Sequence, residues 1–172
     1  PEPHVYDVGR GSIRVDGTQV TQNGVTCEDD APIITGEGSG TALEIVAYSG
    51  TTRVILRDLS ITNTNSGGGG AVKIEGGTNC TVELVLEGTN VLKSENGNGA
   101  GILHNQDFGG ACLLVLDGTG SLAATGVGAG AGIGAATRGC HGGSVTIKGG
   151  TITAIGGDKA AGIGGADGVG SS

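Results

Sequence analysis

The side chains best suited to bind a metal ion lie in one short acidic segment, Glu28, Asp29 and Asp30. Calcium prefers oxygen ligands, which carboxylates supply and which the backbone carbonyls of a tight turn can complete. The segment matches neither the EF-hand loop nor the nonapeptide calcium repeat, so a solvated acidic turn is the alternative interpretation. The sequence therefore offers structural calcium as a cofactor, bound by these three carboxylates. Isolated carboxylates elsewhere are further candidates: Asp58, Asp107 and Asp117.

Four cysteines are the next candidates for chemistry: Cys27, Cys80, Cys112 and Cys140. They form no C-x-x-C pair, which disfavours a zinc site. Cys80 and Cys112 share the inward side of an alternating apolar pattern, so they are either two small buried hydrophobic residues or the two halves of a disulfide bond. We expect at least one disulfide among Cys80, Cys112 and Cys140, with Cys27 as the remaining candidate. Such a bond implies an oxidising compartment.

General acid–base chemistry has one candidate pair, His104 and Asp107, which lie three positions apart in a polar loop. An imidazole beside a carboxylate is a common general base. Polar surface loops contain the same residue types, and the histidines of the chain (His4, His104 and His141) share no common spacing. The polar-loop interpretation is preferred, and no catalytic residue is predicted.

A repeating backbone must position these residues, because glycine-rich markers recur in one phase along the chain. The segment 132–134 (GIG) recurs as 162–164, and the pair 101–102 (GI) precedes both. Between the markers, apolar and polar residues alternate with the period of a half-buried strand. A period near 30 residues, with short strands and glycine at the corners, is typical of one coil of a parallel β-helix. The predicted fold class is all-β, a right-handed parallel β-helix with coils of about 30 residues.

The same spacing predicts the domain organisation. Residues 1–40 are expected to form an N-terminal cap or first coil, and residues 41–172 the coils of the β-helix. The predicted coils are 41–70, 71–100, 101–131 and 132–161, followed by a last coil that is incomplete at Ser172. No polar cap is visible after Gly165, so we expect this end to meet a further repeat or another chain. A β-sandwich is the alternative fold, but it would give closer turn signals without copies in phase.

Composition excludes several classes of protein. Glycine makes up 39 of the 172 residues, which no ordinary helical core tolerates. The formal net charge of -8 leaves too few lysines and arginines for a nucleic-acid partner. The uninterrupted apolar runs are far too short to cross a bilayer. We expect a soluble, strand-rich chain with no nucleic-acid partner and no membrane span.

Charged residues recur at the turn that ends one strand of each predicted coil. In chain order they are Arg57, Glu87, Asp117 and Lys148. Mixed signs down one column predict stacked charge pairs on a solvated face. Glu87 and Asp117 would lie about one strand spacing apart, near the carboxylate separation of retaining glycosidases, so hydrolysis is the competing interpretation. Few aromatic rings are present to line a sugar site: Tyr6, Tyr48 and Phe108.

Four stretches carry a resemblance to a known family. They are 86–92 (LEGTNVL), 99–102 (GAGI), 118–126 (GTGSLAATG) and 142–154 (GGSVTIKGGTITA). These stretches resemble the pectate-lyase-like right-handed β-helix modules of secreted and surface-anchored bacterial proteins, including those described as carbohydrate-binding domains. The resemblance covers about residues 41–165. It implies a repeat module of a surface protein, in a family where some members bind plant polysaccharides and some hold structural calcium.

The function predicted from the sequence is that of a non-catalytic extracellular or cell-surface module, which provides a carbohydrate-binding or adhesive surface and a rigid spacer. Its expected partners are a polysaccharide or cell-surface glycan and, at the C-terminal end, a neighbouring repeat or another chain. Two alternatives remain open. One is a polysaccharide lyase or hydrolase of the same fold, and the other is a structural filament unit that stacks on itself.

Overall fold

The computed structural model describes residues 4–106, 112–136 and 140–166. These residues form short strands and one 3-10 helix, Val8–Arg10. The strands are β1 (Val5–Asp7), β2 (Ile13–Asp16), β3 (Gln19–Gln22), β4 (Val25–Glu28), β5 (Ile33–Ser39), β6 (Leu43–Ala47), β7 (Gly50–Asn63), β8 (Gly70–Gly76), β9 (Cys80–Glu87), β10 (Thr89–Ser94), β11 (Ala100–Leu103), β12 (Leu113–Gly118), β13 (Ser121–Thr125), β14 (Ile133–Gly134), β15 (Val145–Ile147), β16 (Thr151–Ile155) and β17 (Ile163–Gly164). Among the described residues, no helix is long and apolar enough to cross a membrane.

The strands stack as a β-solenoid of about five turns, with coils of about 30 residues. Sheet A contains β15-β12-β9-β7-β10-β13-β16, with β5 paired to β7 and β1 paired to β5. Sheet B has the order β17-β14-β11-β8-β6-β2-β3-β4. The named strands of successive coils pair in parallel, and each lies beside the equivalent strand of the next coil. The predicted all-β, parallel solenoid is confirmed.

Sheet A covers two faces of each coil, because β7 bends in its middle. Its first half pairs with β9 and its second half pairs with β10. Asp58 lies at the bend with φ +50, a conformation that non-glycine residues rarely adopt. Its Oδ1 accepts a hydrogen bond from the Thr89 N–H of the next coil at 2.9 Å. In that next coil the corner residue is Gly88 (φ +62), whose missing side chain leaves room for the Asp58 carboxylate.

The core consists of apolar columns that run along the solenoid axis. In β9 every second residue is buried, as the alternation predicted. One column contains Val54, Leu84 and Leu116, which pair across three coils and are all fully buried. Burying such a side chain contributes about 1.5–3 kcal/mol to folding. Stacked columns therefore supply the main stabilisation of a chain with few aromatic residues.

One polar side chain lies inside this core at a corner of sheet A. Asn90 is fully buried, and its Oδ1 accepts the Leu59 N–H at 3.0 Å. Its Nδ2 donates to the carbonyls of Glu87 and Ser121, both at 3.1 Å. The amide thus joins three successive coils and satisfies backbone groups that the corner leaves without strand partners.

The two ends of the solenoid differ. At the N-terminal end, β2 pairs with β6 in parallel and with β3 in antiparallel, and β3 continues into β4. This meander extends sheet B past the first coil and buries Val20. At the other end, Ile147 and Ile163 are 49% and 41% exposed, although they lie beside the fully buried Leu116 and Ile133. Inward side chains of the last described coil are therefore only partly covered.

Candidate ligand-binding groove

Outward side chains from five adjacent strands of sheet B form one row, which we call the polar row. It contains Thr26, Thr21, Arg14, Glu44 and Lys73, from β4, β3, β2, β6 and β8. Adjacent strands lie about 4.8 Å apart, so the row extends for about 19 Å. The positions are paired neighbours in the sheet, so their order is fixed by backbone hydrogen bonds.

Ion pairs hold the charged part of the row in place. Glu44 lies between the two cations, in contact with Arg14 and with its Oε1 3.5 Å from Lys73 Nζ. Lys73 also contacts Glu75, and Arg14 lies 3.7 Å from the Asp16 carboxylate. The hydrogen bond to Glu75 is the main reason that the pKa of Lys73 is raised, with partial burial acting against it. Lys73 is thus held in its charged form.

A groove of about 610 Å³ lies along this row. Its lining residues are Ser12, Ile13, Arg14, Thr21, Asn23, Gly24, Thr41, Glu44 and Lys73. The β3–β4 hairpin turns at Asn23 and Gly24, both with positive φ (+52 and +76), as a two-residue hairpin turn requires. Asn23 Nδ2 donates to the Arg10 carbonyl at 2.9 Å, which ties the turn to the first coil. The hairpin thereby contributes one end of the groove.

The groove offers hydrogen bonds and charge beside a comparable area of apolar surface. Thr21 and Thr26 share a hydrogen bond between their hydroxyl oxygens at 2.8 Å. The Thr41 hydroxyl donates to the Gly70 carbonyl at 2.9 Å. The described lining contains no aromatic ring. Such a site suits a ligand with many hydroxyl groups better than an apolar one.

The predicted calcium segment does not bring its three carboxylates together. Asp29 is buried, and its oxygens accept the backbone N–H groups of His4 at 2.8 Å and Ala31 at 3.1 Å. Glu28 and Asp30 are exposed on either side of it. No group of three or more metal-ligating side chains occurs in the part of the chain that the structure describes. Calcium binding by this segment stays a prediction.

The predicted disulfide is confirmed between Cys80 and Cys112. The bond joins neighbouring coils, with a Cα–Cα distance of 4.7 Å, and both residues are buried. The sulfur atoms lie 3.0 and 3.3 Å from the Ala47 carbonyl oxygen; these are packing contacts, because a disulfide sulfur has no proton to donate. Cys27 is an exposed thiol on β4, and Cys140 is half-buried ahead of β15.

The predicted general-base candidate His104 is buried, with only 1% of its surface exposed. Its Nε2 lies 2.8 Å from the Cys112 carbonyl, which fixes Nε2 as the protonated nitrogen. Nδ1 is buried with no hydrogen-bond partner among the described residues. Burial lowers the pKa of His104, so the ring is neutral at physiological pH. Asp107, its proposed partner, lies outside the described residues.

The predicted single column of charges is wrong at its third member. Arg57 and Glu87 do pair, with Nε 2.6 Å from the carboxylate. Asp117, however, lies beside Val85, because the step from β9 to β12 is longer than the preceding step. Ile147 pairs with Leu116, so the next residue, Lys148, lies beside Asp117. The register does not place Glu87 beside Asp117, so the geometry expected for a pair of hydrolytic carboxylates is absent from this position.

Sequence reasoning missed the groove, although part of its signal was present. Arg14 and Glu44 are 30 residues apart, and Glu44 and Lys73 are 29 apart, which is one coil in each case. Charges of alternating sign at one-coil spacing predict a row across the strands. The antiparallel hairpin that contributes Thr21 and Thr26 breaks the repeat, so the spacing alone could not add it to the row.

No family model, curated protein or solved structure matches this chain. The solenoid therefore rests on the strand pairing described above. The resemblance to carbohydrate-binding modules of the pectate-lyase-like type contributes to a proposal only.

Proposed function

We propose that the chain is a non-catalytic extracellular module that binds carbohydrate in the groove of sheet B and serves as a rigid spacer. The observation that carries this proposal is the polar row, in which hydroxyl groups and paired charges are held in register across five strands. Sugars are recognised by hydrogen bonds to ordered polar side chains, and bonds to charged groups are the stronger ones. A groove that follows the row suits an extended glycan chain.

The charged centre of the row is arranged to hydrogen-bond neighbouring hydroxyl groups. The Glu44 carboxylate can accept from a sugar hydroxyl, while Arg14 and Lys73 can donate to another. Their ion pairs hold these long side chains before a ligand arrives, which reduces the conformational entropy lost on binding. Because the described lining of the groove contains no aromatic ring to stack on a sugar, binding is expected to be weak for a single site.

The disulfide supports an extracellular location. Disulfides persist in oxidising environments and are rare in the cytosol. The bond between Cys80 and Cys112 is buried between two coils, which suits a structural role. A solenoid held in this way also supports the role of a stiff spacer between a surface and a ligand.

The test is a glycan array followed by calorimetric titration of the retained oligosaccharide. Replacing Glu44 with alanine is expected to weaken binding about tenfold, the effect of losing one charge-assisted hydrogen bond. Glu83→Ala is the matched control, because Glu83 is also ion-paired and similarly exposed but lies on sheet A. Equal affinities of the two variants, or no retained glycan, would contradict the proposal.

A polysaccharide lyase is the second candidate, because the groove contains two cations. A lyase needs a base that removes the proton next to a uronate carboxyl group. The raised pKa of Lys73 makes it a poor base at neutral pH, which favours binding over catalysis. Release of unsaturated products from polygalacturonate, followed by ultraviolet absorbance, tests this alternative. Its loss in a Lys73→Met variant would identify the groove as the active site.

The C-terminal end is proposed to contact a neighbouring repeat or another chain. Ile147 and Ile163 occupy inward positions that are fully buried one coil earlier, so a further layer of strands would cover them. Sedimentation velocity over a range of concentrations tests contact with a second copy. Association that an Ile147→Asp variant abolishes would support the self-stacking alternative, and a monomer at every concentration would exclude it.

A further inference from the structure

The charges around the groove do not balance. Two cations, Arg14 and Lys73, face three carboxylates, those of Asp16, Glu44 and Glu75. Two positive and three negative groups give the cluster a formal charge of −1. The net charge of the whole chain is −8, so the long-range field has the same sign as the cluster.

Each cation already has two carboxylate partners. Arg14 contacts Glu44 and lies 3.7 Å from Asp16, and Lys73 contacts Glu75 and lies 3.5 Å from Glu44. A ligand carboxylate could bind one of these cations only beside an existing carboxylate or by displacing it. Both routes are unfavourable, because like charges at short range repel and a displaced carboxylate loses its partner.

An uncharged sugar meets no such penalty. Its hydroxyl groups can donate to Glu44 and accept from Arg14 or Lys73 while every ion pair stays in place. Resting on the carbohydrate-binding function proposed above, we propose that the groove selects glycans without anionic groups and discriminates against uronic-acid-containing or sulfated ones. Asp16 and Glu75 are then specificity-determining residues, although neither lines the groove.

The experiment compares matched neutral and acidic probes. Oligogalacturonate and its methyl ester have the same backbone, and arabinoxylan and glucuronoxylan oligosaccharides form a second pair. For the native chain we expect the neutral member of each pair to bind about threefold more tightly or better, the effect of one unit charge about 7 Å away in water. Raising the ionic strength is expected to narrow this difference.

Charge variants outside the groove lining separate specificity from binding. Glu75→Gln brings the cluster to neutrality and should remove the discrimination, and Asp16→Asn with Glu75→Gln should reverse it. The readout is the ratio of the affinities for the two members of each pair, which cancels any change that is common to both. Glu87→Gln is the control, because Glu87 is also ion-paired and equally exposed but lies on sheet A. It changes the net charge of the chain without changing the cluster.

The outcomes distinguish the two proposals. If the native chain binds the acidic member of each pair as tightly as the neutral one, the selectivity is wrong and the carbohydrate-binding function stands. The same conclusion follows if Glu87→Gln alters the discrimination as much as Glu75→Gln does. If the native chain binds no member of either pair and no other glycan, the proposed function itself is wrong. Thermal unfolding of each variant verifies that the fold is retained.

Discussion

Removing the Cys80–Cys112 disulfide should lower the stability of the solenoid substantially. The bond closes a loop with a sequence separation of 32, and it joins two coils that also stack through β9 and β12. In the chain-entropy model, cross-linking a loop of this length removes about 12 cal/mol/K from the unfolded state. At 25 °C this corresponds to about 3.7 kcal/mol of stabilisation.

For a domain of this size, each kcal/mol changes the melting temperature by about 2–4 °C, so the cross-link is worth about 7–15 °C. The variant is Cys80→Ala with Cys112→Ala, which keeps both buried positions apolar. Wild-type protein reduced in denaturant and refolded with its thiols intact provides a second sample, in which only the covalent bond is lost. Urea denaturation and calorimetry measure both samples against the oxidised protein.

Comparing the reduced wild type and the double-alanine variant with the oxidised protein separates the effect of the covalent bond from the effect of side-chain packing. If the reduced wild type loses most of the predicted stability, the constraint on the unfolded state is responsible. If it melts within about 2 °C of the oxidised protein, the chain-entropy argument does not hold for this solenoid. Because both sulfur atoms are buried, reductant without denaturant should leave the bond intact.

Three further predictions concern a buried amide, a buried imidazole and the acidic segment. Asn90→Ala should destabilise the fold by about 3 kcal/mol in urea denaturation, since buried backbone groups of three coils lose their partner, whereas Asn96→Ala at an exposed corner should change little. Burial lowers the pKa of His104, so the unfolded chain binds a proton that the folded chain does not; stability should fall as the pH drops below about 6.5. This loss, at most about 1.4 kcal/mol per pH unit, should be smaller in His104→Gln. Equal slopes of unfolding free energy against pH in the two proteins would contradict the role of His104. Calcium bound by residues 28–30 should raise the melting temperature and a chelator should lower it; no change under either condition would leave the segment as a solvated turn.

The faces of the strands were predictable from the sequence, because side-chain direction depends on local alternation. The apolar members of the alternating pattern were expected to point inward, and Leu84, Leu86, Leu114 and Leu116 are all fully buried. The same parity placed Cys80 and Cys112 on the inward side. Whether they form a bond depends on the register between β9 and β12, which the alternation within each strand does not determine.

The register between coils was not predictable in the same way. Arg57 and Glu87 are 30 residues apart and pair, whereas the next step, from Cys80 to Cys112, is 32 residues. Two additional residues leave the inward and outward faces unchanged but move every outward side chain by one position along its face. Asp117 consequently lies beside Val85, and no local pattern near Asp117 signals this displacement.

The sequence by itself determined the coil period, the strand faces and the composition of the core, because each depends on the order of residues within one coil. Only the tertiary structure decided the groove and the position of Asp29. The polar row needs Thr21 and Thr26 on an antiparallel hairpin that joins sheet B outside the repeat. Asp29 is buried between two exposed acidic neighbours, and its carboxylate accepts the backbone N–H groups of His4 and Ala31. Both depend on contacts between distant segments, whose geometry emerges only when the coils are stacked.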